Sequence, residues 1–495
     1  MPLHDLDVDV IIHILSLADI YTILSAFRLN KAFHALTRSR PLWISVIRNL
    51  SHHDSGLIDI PIETLSEIVS TDNLIREVKR AVLGPITWSI SRQIVIPVAD
   101  GWSGESLLGG THVVLRLRAV NSATTVLKCR DLYNDRTVWE WQGAGHCYDK
   151  MVFDTFLSQP KAVVGLVFPT QHLQQYNIRI LEADMETGGC RMLKELPFNL
   201  FHPILSDICG DFLVCMAVSP QEIYRLQAPV VINWRTAEFI AFKKLSGIWA
   251  RAVAICLSPG HVILSYFASN GPILEISRIS DLVALWRPLQ DLDIYSFRQD
   301  PNDAQIPHIA LDVPHPNFHC GKHIQISAME SVVRRGTYEL IVVADTHNLP
   351  VKPLATFLNR VRNTVSMDSS TPPVQAFRST TLAVYDLPSA DGVDPPSPTF
   401  KWIIHSPRYF HVFSPGTQFG FACPPNTNSV RQIHDFRDRP EAIHHVLVQR
   451  VDAPGVEVPR PLPRARGLGT LLKIQPSRTG ALMACYEAGV VVDYY

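Results

Sequence analysis

The chain has 495 residues, too many for one ordinary hydrophobic core, so two or more folding units are expected. Lys and Arg number 45 against 46 Asp and Glu, a net charge of -1, which excludes a general nucleic-acid-coating surface because displacing counterions from phosphates needs excess cations. With 46% hydrophobic and 18% charged residues, disorder throughout is excluded, and 36 Pro, 25 Gly and many aromatics point to numerous short strands.

The N-terminal run Met1-Pro2-Leu3-His4-Asp5-Leu6-Asp7 is acidic, which opposes a secretory signal or a basic transit peptide. Val8 to Phe27 is the most apolar long stretch, but Asp9, His13 and Asp19 interrupt it, so no membrane-spanning helix is expected. Val10, Ile11, Ile14 and Leu15 instead form one wide apolar helix face. Asp19 is placed to cap a second helix carrying Ile20, Ile23, Leu24 and Phe27. A third helix runs through Phe33 and Leu36, and Pro41-Leu42-Trp43 marks a restart. Thr64 to Leu83 repeats apolar residues at helical spacing, with Asp72 expected to cap its second half. Three short helices need fewer apolar residues than this for one shared seam, so part of the surface should meet another chain or the adjoining helix.

Leu6-Asp7-Val8-Asp9-Val10-Ile11-Ile12-His13-Ile14-Leu15-Ser16-Leu17, followed by Asp19-Ile20, resembles the opening of an F-box. Phe27 to Trp43, with its terminal Leu42-Trp43, is similar to the second half of that motif; the resemblance covers about residues 5–50. The usual Leu-Pro start is Leu6-Asp7 here. Pro pre-sets a first helical turn, whereas Asp favours the same helix terminus electrostatically, so the change should weaken docking rather than abolish it. The later helix followed by Trp88 and a repeating β region resembles fungal F-box proteins. The resemblance implies a substrate-recognition subunit of an SCF-type ubiquitin ligase, with a Skp-type adaptor and a cullin scaffold as partners and an unknown target protein. By motif position, Leu6, Val10, Ile11, Ile14, Leu15, Ile20, Ile23, Leu24 and Trp43 would supply the adaptor interface or its immediate support. The competing reading packs the same residues internally against Leu65, Ile68 and Val78.

From about residue 91 the pattern becomes strand-turn-strand, as in Gln93–Val98, Val113–Leu117 and Asp211–Cys215. One phrase recurs: an apolar strand ending in Asp or Asn, a polar turn, then another apolar strand. With marks at 131, 184, 234, 281, 386, 452 and 493, the steps are 53, 50, 47, 105, 66 and 41 residues. Steps near 50 suit a four-stranded propeller blade. The step of 105 is two blades or one with long insertions, and the loop composition of Asn359 to Gln375 favours the insertion. Two more loops run through Asp391–Pro398 and Arg460–Arg464. The expected fold class is therefore α+β multidomain: an F-box over 1–50, a helical linker over 51–90, and over 91–495 an all-β propeller of about seven blades, six or eight being alternatives. A β-sandwich is the competing architecture.

Chemistry is weakly signalled. His315, His319, Cys320 and His323 have ligand chemistry, but Pro316 spoils a helix that would align them, so no metal is assigned. His52-His53 and His444-His445 read as exposed loop pairs. No GxSxG, GxGxxG or P-loop occurs, and Gly467-Leu468-Gly469 reads as a turn. The nine cysteines are scattered without a CxxC, which fits reduced, mostly buried thiols in cytosol or nucleus. Trp139, Trp141, Trp234, Trp286 and Trp402 are expected between blades, and Arg460, Arg464 and Arg466 in a solvated connector. The sequence thus assigns no catalytic residue, cofactor, nucleic acid or membrane, and leaves the target-binding residues unknown. Two other classes compete: a propeller scaffold outside any ligase, and a propeller enzyme such as a hydrolase with His and Asp at its central channel.

Overall fold

A computed structural model of the chain describes residues 6–53 and 70–83, most of 92–312, and from there to Tyr494 chiefly the strands themselves. The helical part comprises α1 (Val8–Leu17), α2 (Ile20–Phe27), α3 (Lys31–Leu36), α4 (Arg40–His53) and α5 (Thr71–Leu83). Each of the first three starts on a side chain that satisfies an orphan backbone donor. Asp7 accepts from the Asp9 N–H at 3.4 Å, Asp19 from Thr22 at 2.7 Å, and Asn30 from Phe33 at 2.9 Å. Asp7 thus occupies the N-cap of α1 where a proline was expected by resemblance. For α5 the expected cap is wrong: Ser70 Oγ accepts from the Asn73 N–H at 3.3 Å, and Asp72 lies inside the first turn. A hydroxyl one residue before the helix reaches the free N–H, whereas Asp72 already has helical backbone. Residues 64–69 lie outside the described residues. His52 and His53 end α4 and are not in a loop.

The helices share one core. Ile11, Leu15, Ile20, Ile23, Leu42, Trp43, Val46 and Ile47 are buried together with Leu74 and Val78 of α5. Trp43 anchors the turn after α3 by donating from Nε1 to the Thr37 carbonyl at 2.7 Å.

The rest is mostly β-sheet. Among the described residues, seven antiparallel sheets follow one another along the chain. Sheet 1 is Trp102–Leu108, His112–Leu117, Thr124–Asp131 and Arg136–Ala144. Sheet 2 is Val152–Phe153, Lys161–Pro169, Gln175–Asp184 and Cys190–Asn199. Sheet 3 is His202–Cys209, Phe212–Val218, Gln227–Asn233 and Glu238–Ala241, with Arg287–Pro288 added at its edge. Sheet 4 is Val253–Ser258, His261–Ala268, Gly271–Arg278 and Ile309–Asp312. Sheet 5 is Gly321–Glu330, Thr337–Asn348, Phe377–Pro388 and Thr399–Ser406; sheet 6 shows Phe419–Ala422, Val446–Arg450 and Glu457–Arg460. Sheet 7 joins Leu471–Pro476, Leu482–Tyr486 and Gly489–Tyr494 to the first strand of the β region, Arg92–Pro97.

Strand residues alternate between two faces, and here both faces are buried. Val113 and Leu115 pack toward sheet 7, while Val114 packs toward sheet 2. Leu213 and Ile232 pack toward sheet 2, and Val214 and Val231 toward sheet 4. Separate cores therefore lie between sheets 7 and 1, 1 and 2, 2 and 3, 3 and 4, and 4 and 5. Four-stranded sheets packed face to face in chain order are the blade organisation of a β-propeller. Trp139 and Trp234 sit in these inter-sheet cores, as expected; Trp141 and Trp286 are half-buried against them. Carboxylates add cross-links: Asp154 accepts from the Gly210 N–H at 2.7 Å and Asp207 from the Leu257 N–H at 2.9 Å, each reaching the next sheet.

The recurring phrase is a hairpin with a common mechanism. Asp131 accepts from the Tyr133 and Asn134 N–H groups, Asp184 from Thr187, and Asn233 from Arg235 and Thr236. Four residues after each stands a left-handed residue: Asp135 (φ 49°), Gly188 (φ 78°) and Ala237 (φ 60°). These are Asx-capped turns ended by a left-handed residue that lets the next strand return. The mark at 281 differs: Ile279–Leu285 is a 3-10 helix rather than a second strand. Ile279, Leu282 and Leu285, three apart, meet the core between sheets 3 and 4, so the period is that of a 3-10 helix. The 105-residue step between marks 281 and 386 leads from the end of the third strand of sheet 4 to the third strand of sheet 5, with residues 294–305, 313–320, 331–336 and 349–376 of that interval outside the described residues.

Candidate protein-docking surface

The nine residues assigned to the N-terminal interface fall into two sets. Ile11, Leu15, Ile20, Ile23 and Trp43 are buried in the helical core, with Ile23 at 1% exposure, and support the surface without forming it. Leu6 is half-buried against that core. Val10, Ile14 and Leu24 are exposed at 45%, 46% and 45%. The spacing explains the division. Ile11 and Leu15 share one helical column facing inward, while Val10 and Ile14 occupy the next column, turned about 100° away per residue.

The exposed column is longer than the assignment. Leu17 continues Val10 and Ile14 at i+7, and Phe27 continues Leu24 at i+3; Val8 and Leu29 are exposed as well. Seven large apolar side chains on or beside two consecutive short helices face solvent, although the same helices have filled their own core. The signal for Leu17 was in the sequence, since Val10, Ile14 and Leu17 keep a 3.6-residue period. Phe27 is held by the His34 ring, with centroids 4.2 Å apart. Exposed Asp7 and Asp9 border the α1 end, and exposed Arg28, Lys31 and Arg38 border the α2–α3 side. An apolar surface with charge of opposite sign on its two flanks can bind a partner by burial and orient it by charge.

The β region offers little reactive chemistry among the described residues. No group of three or more His, Cys, Asp or Glu is placed to hold a metal ion among them. Residues 315–320 of the His and Cys cluster lie outside the described residues, as do His444, His445, Cys320, Cys423, Arg464, Arg466 and Gly467–Gly469. Seven cysteines are described, none in a disulfide and six of them buried. Burial pushes the Cys190 thiol up to about 11 and those of Cys129, Cys209, Cys215 and Cys256 higher still, which keeps them protonated near neutrality. The buried Arg116–Glu105 ion pair, at 2.9 Å, is tied to Ser103 and to the Cys147 carbonyl, a network internal to sheets 1 and 2. No described helix is long and apolar enough to cross a membrane.

No protein-family model matches the sequence, and no curated protein is similar to it. Among solved structures, the chain is similar to an oligogalacturonate lyase in complex with manganese, at 6% identity and a TM-score of 0.42, over 82% of this chain and 98% of that one. It is also similar to the Dos1 propeller, at 8% identity and a TM-score of 0.35, over 78% of this chain and 76% of the other. The WD40 domain of SCAP from fission yeast gives 7% identity and a TM-score of 0.37, over 86% and 84%. The blade reading of the present chain stands on its own strand order and inter-sheet cores.

Proposed function

We propose that the chain is a substrate-recognition subunit of an SCF-type ubiquitin ligase. In this reading residues 1–50 are an F-box that binds a Skp-type adaptor, and through it a cullin scaffold. Residues 51–90 link it to a closed seven-bladed propeller that holds a target protein. The receptor makes and breaks no bonds; it raises the effective concentration of target lysines near the ubiquitin-conjugating enzyme. One observation carries the reading: Val10, Ile14, Leu17, Leu24 and Phe27 stay exposed on helices that already share a described core. Burying such side chains is worth about 1.5–3 kcal/mol each, which gives a partner a sufficient driving force. The closed ring is supported by the pairing of Arg92–Pro97 with Gly489–Tyr494, first strand to last.

The decisive experiment substitutes exposed residues only. Ile14→Asp with Leu24→Asp should abolish co-purification of a Skp-type adaptor while leaving helix content and the β region unchanged. Leu15→Asp is unsuitable, because Leu15 is 6% exposed and a charge there would break the helical core. Full recovery of the adaptor by the folded double variant would overturn the reading.

A further inference from the structure

The strand that completes sheet 7 is held by a buried carboxylate in an unusual setting. In sheets 1 to 3 the third strand ends on Asp131, Asp184 or Asn233, and the following hairpin supplies backbone N–H donors to that side chain. Asp493 is the last residue but one of the third strand of sheet 7, and the strand beside it is Arg92–Pro97, from the opposite end of the β region, so no hairpin provides such donors. Gln93 takes over. It lies opposite Asp493 in register and donates from Nε2 to Asp493 Oδ1 at 2.8 Å, a bond spanning 400 residues of sequence.

This replacement is incomplete. Asp493 is 0% exposed, and its Oδ2 has no hydrogen-bond partner among the described residues. Among the described residues, the groups facing it are the neutral Gln93 amide on the closing strand and, within Coulombic reach, the Tyr486 phenol on Leu482–Tyr486. Burial, with Asp493 adding to it, pushes Tyr486 up to about 12, so the phenol stays uncharged near neutrality. Among the described residues no cation pairs with Asp493. An ionised carboxylate buried with one neutral donor is costly, and protonation removes that cost.

We propose that Gln93 and Asp493 form a pH-sensitive latch on the closing strand, tight when Asp493 is protonated and loosened when it ionises. Burial pushes the Asp493 carboxyl up to about 6, against the smaller opposing effect of the Gln93 bond. The folded value lies above the unfolded one. The latch is therefore strongest below the ordinary carboxylate range and weakens as pH rises through about 6. From below the ordinary carboxylate range to full ionisation the closing strand should become easier to open by about 100-fold, of which about tenfold falls above about pH 5.

Amide hydrogen exchange of residues 92–97 in the full chain tests this, with rates corrected for intrinsic exchange between about pH 5 and pH 7.5. Wild-type protection should fall by about tenfold over this range, with the fall complete shortly above pH 6. Asp493→Asn keeps an acceptor for Gln93 and should hold protection flat, at the low-pH level. Gln93→Leu removes the one donor to the ionised form and should move the midpoint to higher pH. Flat wild-type protection, an unmoved midpoint in Gln93→Leu, or a folded Asp493→Asn protein that tracks the wild type would each overturn the latch. Should Asp493→Asn fail to fold, the wild-type profile and the Gln93→Leu midpoint still decide.

Discussion

Gly188 has two independent reasons to lack a side chain. Its φ is +78°, which costs other residues roughly 1–2 kcal/mol, and a Cβ there would lie 2.4 Å from the Val138 carbonyl oxygen of sheet 1. The obstacle is backbone, so it cannot swing aside. Gly188→Ala should therefore lower stability by more than about 2 kcal/mol, read as a shift in denaturant midpoint. Ala237 occupies the matching place in sheet 3, at φ 60°, and accepts the strain. Ala237→Gly should recover up to about 1 kcal/mol, and a loss of stability would show that its half-buried methyl matters more than its backbone. At this scale the sequence was partly readable. The Asp and Asn repeat was visible because an Asx turn needs a short side-chain acceptor. The left-handed residues were hidden because only Gly188 of the three announces that conformation. Ser70 was missed as a cap because Asp72, two residues on, is an equally good capping type; only the backbone at each position decides.

At the scale of the element, α1 shows how a wide apolar stripe serves two purposes. Val10, Ile11, Ile14 and Leu15 were legible as one face, yet the helix buries Ile11 and Leu15 and leaves Val10 and Ile14 in solvent. Nothing local separates adjacent columns of similar residues; the position of α4 against the helix does. The two columns should respond oppositely to truncation. Leu15→Ala should cost the helical unit about 2–5 kcal/mol, as removal of a core Leu does. Ile14→Ala should leave stability within about 0.5 kcal/mol and weaken adaptor capture instead. Urea melts followed by circular dichroism, with pull-down on the same samples, separate the effects; equal destabilisation by both would mean that the exposed column is not a free surface. The 3-10 helix Ile279–Leu285 was read as a strand because a three-residue period over seven positions is easily confused with alternation.

The whole molecule is arranged as shared cores, and this governs how it should unfold. Five described cores in the β region each lie between two sheets, so sheets 1 to 4 bury both apolar faces against neighbours and the loss of one interface exposes both. The strand repeat was legible because six of the seven marks fall at the third strand of a sheet or within three residues of its end, and the 105-residue step leads from the third strand of sheet 4 to that of sheet 5. The closing strand was not legible, since pairing between Arg92–Pro97 and Gly489–Tyr494 leaves no local signal in either segment. The helical core, by contrast, draws, among the described residues, only on those between Leu6 and Val78. A unit that small is marginal by itself, because short chains bury a low fraction of their surface. Calorimetry should accordingly resolve two transitions, the lower from the helices. Leu15→Ala should lower only that one, and Trp139→Ala, at 1% exposure between sheets 1 and 2, should lower only the other, by about 3–5 kcal/mol. On the proposed function, an adaptor that binds the folded helices alone should raise the lower transition in proportion to the logarithm of its free concentration. If both substitutions moved a single transition together, the helices and the β region would form one cooperative unit, and a ligand of the helices would then be felt throughout the β region.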